Sequence, residues 1–153
     1  MTIQLTTKES GLLKDMKAQE ELCIRKYEEC ATRAKSPELA SLFQSIAQTE
    51  REHLKTITEM LSGTVTPVSG GISNSNNDPV KVSAYKNEED RKYDTFLCQD
   101  LLTTEKHAAS LYNTSVFEFT NPVARKVLAH IQTEEQQHGE QLYMYMQSNQ
   151  MYA

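Results

Sequence analysis

The sequence predicts an all-α fold, a four-helix bundle built as two antiparallel helix hairpins joined by a long crossover. Three observations carry this. Apolar residues recur at three- and four-residue spacing on both sides of a single interruption, the pattern of helices with one buried stripe. The interruption, Gly63 to Pro79, gathers three of the five glycines and two of the four prolines, so it reads as a linker. Within each half, a cap residue followed by proline, Ser36-Pro37 and Asn121-Pro122, starts a new helix with almost no loop before it.

The first helix opens on the capping box Thr6-x-x-Glu9 and runs to about Ala34, with Leu13, Met16, Cys23, Tyr27, Cys30 and Ala34 inward. The second runs from Ser36-Pro37 to Gly63 and buries Leu39, Leu42, Phe43, Ile46, Ile57 and Met60. The third begins near Asn87, with Glu88, Glu89 and Asp90 in a first turn that favours negative charge. Its inward residues are Cys98, Leu101, Tyr112, Val116 and Phe119. The fourth starts at Asn121-Pro122 and buries Ala124, Val127, Leu128, Ile131, Leu142, Tyr145 and Met146. The chain of 153 residues is then one domain, with hairpins at 6–62 and 88–149 and a linker at 63–87 long enough to run the length of a helix.

Composition narrows the function. Sixteen Lys+Arg against 21 Asp+Glu, with no basic block, argues against nucleic-acid and anionic-membrane partners. At 38% apolar residues and a mean hydropathy of -0.61, no run approaches the roughly 18 apolar residues of a membrane span. Met1 to Lys8 lack the pattern of an export signal, which predicts a cytoplasmic protein. Cys23, Cys30 and Cys98 form no CxxC pair, so neither a rubredoxin-type iron site nor a zinc ribbon is expected, and the thiols should be free.

Shifting the second half over the first by 85 positions aligns Ser36-Pro37 with Asn121-Pro122, Tyr27 with Tyr112 and Ile46 with Ile131. The same shift aligns Glu20 with Glu105, Glu50 with Glu135 and His53 with His138. Each half therefore reads Glu, then Glu-x-x-His thirty positions on. All six residues fall within the apolar stripes and so point into the core. Buried carboxylates lose several kcal/mol of solvation each unless partnered. Two divalent cations match four carboxylates in charge, and two neutral imidazoles complete the ligand set. Glu-x-x-His puts both side chains on one helix face, so Glu50 and Glu135 are placed to bridge, with Glu20 and Glu105 as terminal ligands. Mixed carboxylate and imidazole donors suit iron, with manganese as the alternative, whereas structural zinc sites are usually closed by Cys and His.

Other residues carry competing readings. Tyr27 and Tyr112, two turns from Glu20 and Glu105, are either partners of a ligand carboxylate across the bundle or core tyrosines bonded to the backbone. Glu21, Glu52 and Glu134 read as solvated flanks, and His107 and His130 as surface histidines. The cysteines read as small core residues, with a redox role for Cys23 as the competing reading. Tyr143 to Met146 reads as packing or an interface.

On Glu20 with Tyr27, Glu50-Arg-Glu-His53, Glu105 with Tyr112 and Glu135-Gln-Gln-His138, the whole chain resembles ferritin-like di-metal carboxylate proteins of the rubrerythrin and bacterioferritin kind. Residues 90 to 152 are similar to the spore coat protein F family of endospore-forming bacteria. That likeness rests on Asp100-Leu-Leu, Glu105-Lys106, Tyr112-Asn-Thr, Glu118, Asn121-Pro122, Arg125 and Glu134-Glu135-x-x-His138. The Gly-Trp-Tyr ending of that family stands here as Gln150-Met151-Tyr152. The first resemblance implies a ferritin-like fold, and the second a place in the spore coat.

Three functions are expected from these readings. One is a di-iron oxidase or peroxidase acting on Fe²⁺, O₂ or H₂O₂, with Glu20, Glu50, His53, Glu105, Glu135 and His138 as ligands and Tyr27 and Tyr112 beside them. The second is a structural spore coat protein, with coat proteins as partners and a structural or vestigial metal site. The third is a manganese catalase-like dismutation of peroxide. Storage of iron is disfavoured, since no short fifth helix and no further carboxylate cluster follow the fourth. Phe117, Tyr143 and Met151, if exposed, would favour a homodimer.

Overall fold

A computed structural model describes residues 1–68 and 82–152; Gly70, Gly71 and Pro79 of the expected linker lie outside the described residues. Four helices account for most of the described chain: α1 (Thr7–Arg33), α2 (Pro37–Leu61), α3 (Glu88–Glu118) and α4 (Pro122–Ser148). The fold is the all-α four-helix bundle that the apolar periodicity predicts. No helix among the described residues is long and apolar enough to cross a membrane.

The helix starts follow from local chemistry. Thr6 and Glu9 bond reciprocally to each other's backbone N–H groups, closing the capping box of α1. The side chains of Ser36, Asn87 and Asn121 accept from backbone N–H groups in the first turns of α2, α3 and α4. Pro37 and Pro122 occupy positions where no backbone N–H is needed. At the end of α2, Gly63 adopts φ 91°, and a Cβ there would meet the Ile3 carbonyl at 3.3 Å. Glycine is required for this turn.

Contacts at the two ends of the bundle fix its wiring. At one end Ile3 N–H donates to Gly63 O (2.9 Å) and Val65 N–H to Met1 O (2.8 Å), so α2 finishes where α1 begins. At the other end Ser83 Oγ lies 2.5 Å from Ser36 Oγ, and Ser83 N–H donates to Asn149 Oδ1 at 2.8 Å. Residues 65 and 83 therefore sit at opposite ends of the bundle, a separation of about 37 Å for the 25 residues of α2. The start of α3 thus lies at the end of the bundle where α2 begins. Consequently α1 runs antiparallel to α2 and α3 and parallel to α4.

The core has two apolar clusters. One holds Tyr27, Phe43, Ile46, Leu97, Leu101, Leu142 and Met146. The other holds Leu13, Met16, Ile57, Met60, Tyr112, Leu128 and Ile131. Ala34, Leu42 and Val116, expected inside, are only partly buried at the edges of these clusters. Met151, expected to add to an exposed apolar surface, is 7% exposed instead. Gln150 turns the chain with φ 58°, and Met151 N–H bonds to Met146 O at 2.7 Å, folding the side chain back against the core. Phe117 and Tyr143 are exposed, as expected.

Each hairpin holds the other's turn with a buried carboxylate. Glu9 Oε2 accepts from Thr120 N–H at 3.3 Å in the turn between α3 and α4. Asp94, fully buried in α3, accepts from Lys35 N–H (2.8 Å) and Ser36 N–H (3.0 Å) in the turn between α1 and α2, and from Tyr85 Oη (2.8 Å). Removing a charged acceptor from buried donors leaves those donors unsatisfied. Asp94→Ala is expected to destabilise the protein by about 3 kcal/mol, read as a lower urea midpoint with an unchanged slope.

Candidate metal centre

Between the two apolar clusters lies a band of six ionisable side chains: Glu20 from α1, Glu50 and His53 from α2, Glu105 from α3, and Glu135 and His138 from α4. Each is 5% exposed or less. They are buried because the 3.6-residue period carries the apolar stripe through their positions: 13, 16, 20, 23 and 27 line one face of α1, and 46, 50, 53 and 57 one face of α2.

The six side chains converge in two overlapping groups. Donor atoms of Glu20, Glu50, His53 and Glu135 lie within 4.8 Å of one another, as do those of Glu50, Glu105, Glu135 and His138. Glu50 and Glu135 belong to both groups. His53 Nδ1 is 3.0 Å from Glu135 Oε1, 3.5 Å from Glu50 Oε2 and 3.7 Å from Glu20 Oε1. His138 Nδ1 is 2.8 Å from Glu50 Oε1, 3.5 Å from Glu105 Oε1 and 3.7 Å from Glu135 Oε2. Each shared glutamate thus turns one oxygen to each imidazole, as a bridging carboxylate must.

Several of these contacts are short without being aligned hydrogen bonds. Glu20 Oε2, both oxygens of Glu50, Glu105 Oε2, Glu135 Oε2 and His138 Nδ1 are buried without a hydrogen-bond partner, and no other described side-chain atom shares that condition. Unpartnered buried acceptors cost roughly 1–3 kcal/mol each, more for charged groups. Two overlapping groups of ligand atoms, most of the carboxylate oxygens among them without a partner, are what a pair of divalent cations would satisfy.

The protonation pattern reflects the same crowding. Burial, helped by the neighbouring carboxylates, pushes Glu20 up to about 11 and Glu105 well above the usual carboxylate range. Burial works the same way on Glu50 and Glu135, but the close Glu20 and Glu105 carboxyls respectively, then both histidines, outweigh it and lower them. Burial opposes charge on His53 and His138, yet the surrounding carboxylates raise both well above 6.5. The shifts favour protons on Glu20, Glu105 and both imidazoles, and the ionised form of Glu50 and Glu135.

Tyr27 Oη donates to Glu105 Oε1 and Tyr112 Oη to Glu20 Oε1, both at 2.6 Å. Of the two readings of these tyrosines, the structure shows the carboxylate partner across the bundle. Cys23 is fully buried beside the band, where burial pushes its thiol up and keeps it protonated; Cys30 and Cys98 are buried as well. Glu21, Glu52 and His107 are exposed, as expected. Glu134 and His130 are not simple surface residues. Glu134 Oε1 lies 3.3 Å from His53 Nε2 and 3.0 Å from His130 Nε2, and both side chains are less than a third exposed. His53 lowers the Glu134 carboxyl by hydrogen bonding to it. An i, i+4 pair one step off the apolar stripe looks solvated in sequence. Only the contact with a residue of α2 reveals its position.

Cation binding requires Glu20 and Glu105 to ionise and both imidazoles to lose a proton. Titrating the cation-free protein with Mn²⁺ near neutral pH is expected to release up to about four protons per two cations. Because these protons are held above the ordinary values of their groups, affinity should rise with pH and fall steeply on acidification. Calorimetry in buffers of different ionisation enthalpy gives the proton count.

No curated protein and no solved structure matches the chain at a significant level, so the expected relation to rubrerythrin and bacterioferritin finds no support there. A family model does match the second hairpin. Residues 93–153, which include Glu105, Tyr112, Glu135 and His138, match the Coat F domain.

Proposed function

We propose that this chain is a spore coat protein whose helical bundle is built around a two-cation carboxylate and imidazole centre. The observation that carries the cation reading is the set of unpartnered buried acceptors, every one of which belongs to the six repeated Glu and His residues. The Coat F match, which takes in half of that set, supports the coat reading. In this reading Glu50 and Glu135 are shared by both cations, Glu20 with His53 completes one position, and Glu105 with His138 completes the other. Four carboxylates balance two divalent ions. The phenols of Tyr27 and Tyr112 orient the terminal glutamates, and the apolar clusters at either end limit water access.

A second reading, a di-iron oxidase or peroxidase, is favoured by the donor set. Three carboxylates and one imidazole per position, two of them shared, leave room on a six-coordinate ion for a small oxidant. Bound iron would supply redox chemistry on O₂ or H₂O₂, and bound manganese the dismutation of peroxide. The protein's own residues would supply charge balance, orientation and a nearly dry site.

Metal analysis of the purified protein, with anomalous scattering at the iron and manganese edges, tests the centre; two ions per chain are expected. Glu50→Ala should abolish both because the carboxylate is shared, while an unchanged metal content would overturn the assignment. Anaerobic Fe²⁺ loading followed by O₂ or H₂O₂ separates the two readings. Oxidation no faster than free Fe²⁺ leaves the structural role, and association with the coat layer of spores from an endospore-forming host tests that role directly.

A further inference from the structure

The two halves of the centre repeat each other closely on its inner side and differ on its outer side. His53 and His138 both turn Nδ1 toward the shared glutamates. The Nε2 edge of His53 faces Glu134, whose Oε1 also lies against His130 Nε2 one turn earlier in α4. The positions that the 85-residue repeat pairs with Glu134 and His130 are Thr49 and Ser45 on α2. His138 accordingly has ion-pair contacts only through Nδ1 among the described residues. Its ring lines a small cleft of about 90 Å³ with Ser45, Ile46, Thr49, Gln137, Gln141 and Glu134, whose own ion-pair contacts go to His53 and His130. One imidazole is thus paired through its outer nitrogen with Glu134, and the other shares a cleft with that residue without an ion pair to it.

A carboxylate that accepts from the outer N–H of a ligating imidazole fixes the tautomer, holds the ring plane and makes the inner nitrogen a better donor. Loss of such a partner typically lowers metal affinity about 10- to 100-fold. His130 adds a second contact to the same Glu134 oxygen, which restrains that carboxylate in turn. Among the described residues no carboxylate forms an ion pair with the outer nitrogen of His138.

We infer that the two cation positions are inequivalent: the His53 and Glu20 position, buttressed by Glu134 and His130, fills first and holds its ion more tightly, and the His138 and Glu105 position is weaker and exchangeable. This rests on the reading of the six residues as a two-cation centre. Glu134 acts here as a positioning residue, through His53.

Calorimetric titration of the cation-free full-length protein with Mn²⁺, repeated with Co²⁺ and its visible absorption, tests the inference. Two steps separated by about tenfold or more are expected. Glu105→Ala should retain the tight step and Glu20→Ala the weak one, which assigns each step to its position. Glu134→Gln should weaken the tight step about 10- to 100-fold and leave the weak step nearly unchanged. Thr49→Glu, which gives His138 the buttress it lacks, should tighten the weak step. Thermal unfolding of the cation-free variants checks that the bundle is intact, and Thr49→Glu keeps the test open if Glu134→Gln does not fold. Two indistinguishable steps, or a Glu134→Gln effect of equal size on both, would overturn the inequivalence and leave the two-cation centre standing. No cation binding at all would overturn both.

Discussion

Four carboxylates held at mid-bundle, with no donors to satisfy most of their oxygens, are the constraint around which the other features of this protein are arranged. Burial of a single ionised carboxylate is unfavourable by several kcal/mol. Here Glu20, Glu50, Glu105 and Glu135 are nearly or fully inaccessible to solvent and lie close together. The apolar clusters flank them on both sides along the bundle axis and supply the burial that offsets the cost. The few donors that reach the band, two phenols and two imidazoles, each approach carboxylates from the opposite hairpin. Neither hairpin could assemble the site alone.

That interdependence has a two-fold pattern. Tyr27 bonds to Glu105 and Tyr112 to Glu20, which are the same contact under the 85-residue shift. Glu9 reaches Thr120 and Asp94 reaches Lys35 under the same shift. In both contacts the first helix of one hairpin clamps the turn of the other. The Coat F match takes in only the second copy. The two copies share the six band residues and both tyrosines and differ elsewhere: Cys23 pairs with Ala108, Cys30 with Ser115, and Thr49 with Glu134, which touches the band only in the second copy. The tyrosine–carboxylate contacts and the turn clamps that cross between the hairpins occur in both copies, whereas the Glu134 contact with His53 occurs in one.

How much was legible in the sequence follows from what each signal depends on. Helix starts were readable because caps and prolines act within three or four residues, and the six core ionisable residues because they interrupt an otherwise apolar period. The shift that aligned them would also have paired Asp94 with Glu9, but Glu9 is accounted for locally by its capping box, and nothing local marks Asp94 as buried. His130 and Glu134 lie off the stripe of α4 and become partly buried only because α2 passes beside them, a relation between distant segments that periodicity does not encode. The exposure expected of Met151 failed for a comparable reason. One residue at positive φ, Gln150, reverses the chain, and no glycine marks the place.

The wiring bears on which roles the centre can serve. Because α3 starts at the end of the bundle where α2 began, it packs antiparallel to α1, while α2 and α4, which carry both imidazoles and both shared glutamates, pack less closely on each other than α1 and α3 do. In each ligand group at least one carboxylate comes from the other hairpin: Glu135 joins three residues of the first, and Glu50 joins three of the second. An ion at either position would therefore cross-link the hairpins where α2 and α4 pack loosely, exchanging mutual carboxylate repulsion for shared attraction. A coat component gains rigidity from that linkage whether or not the ion turns over, and an oxidase needs the same linkage to hold two ions close together. Structural and redox roles would thus both depend on one physical event, the exchange of buried protons for cations in the carboxylate band.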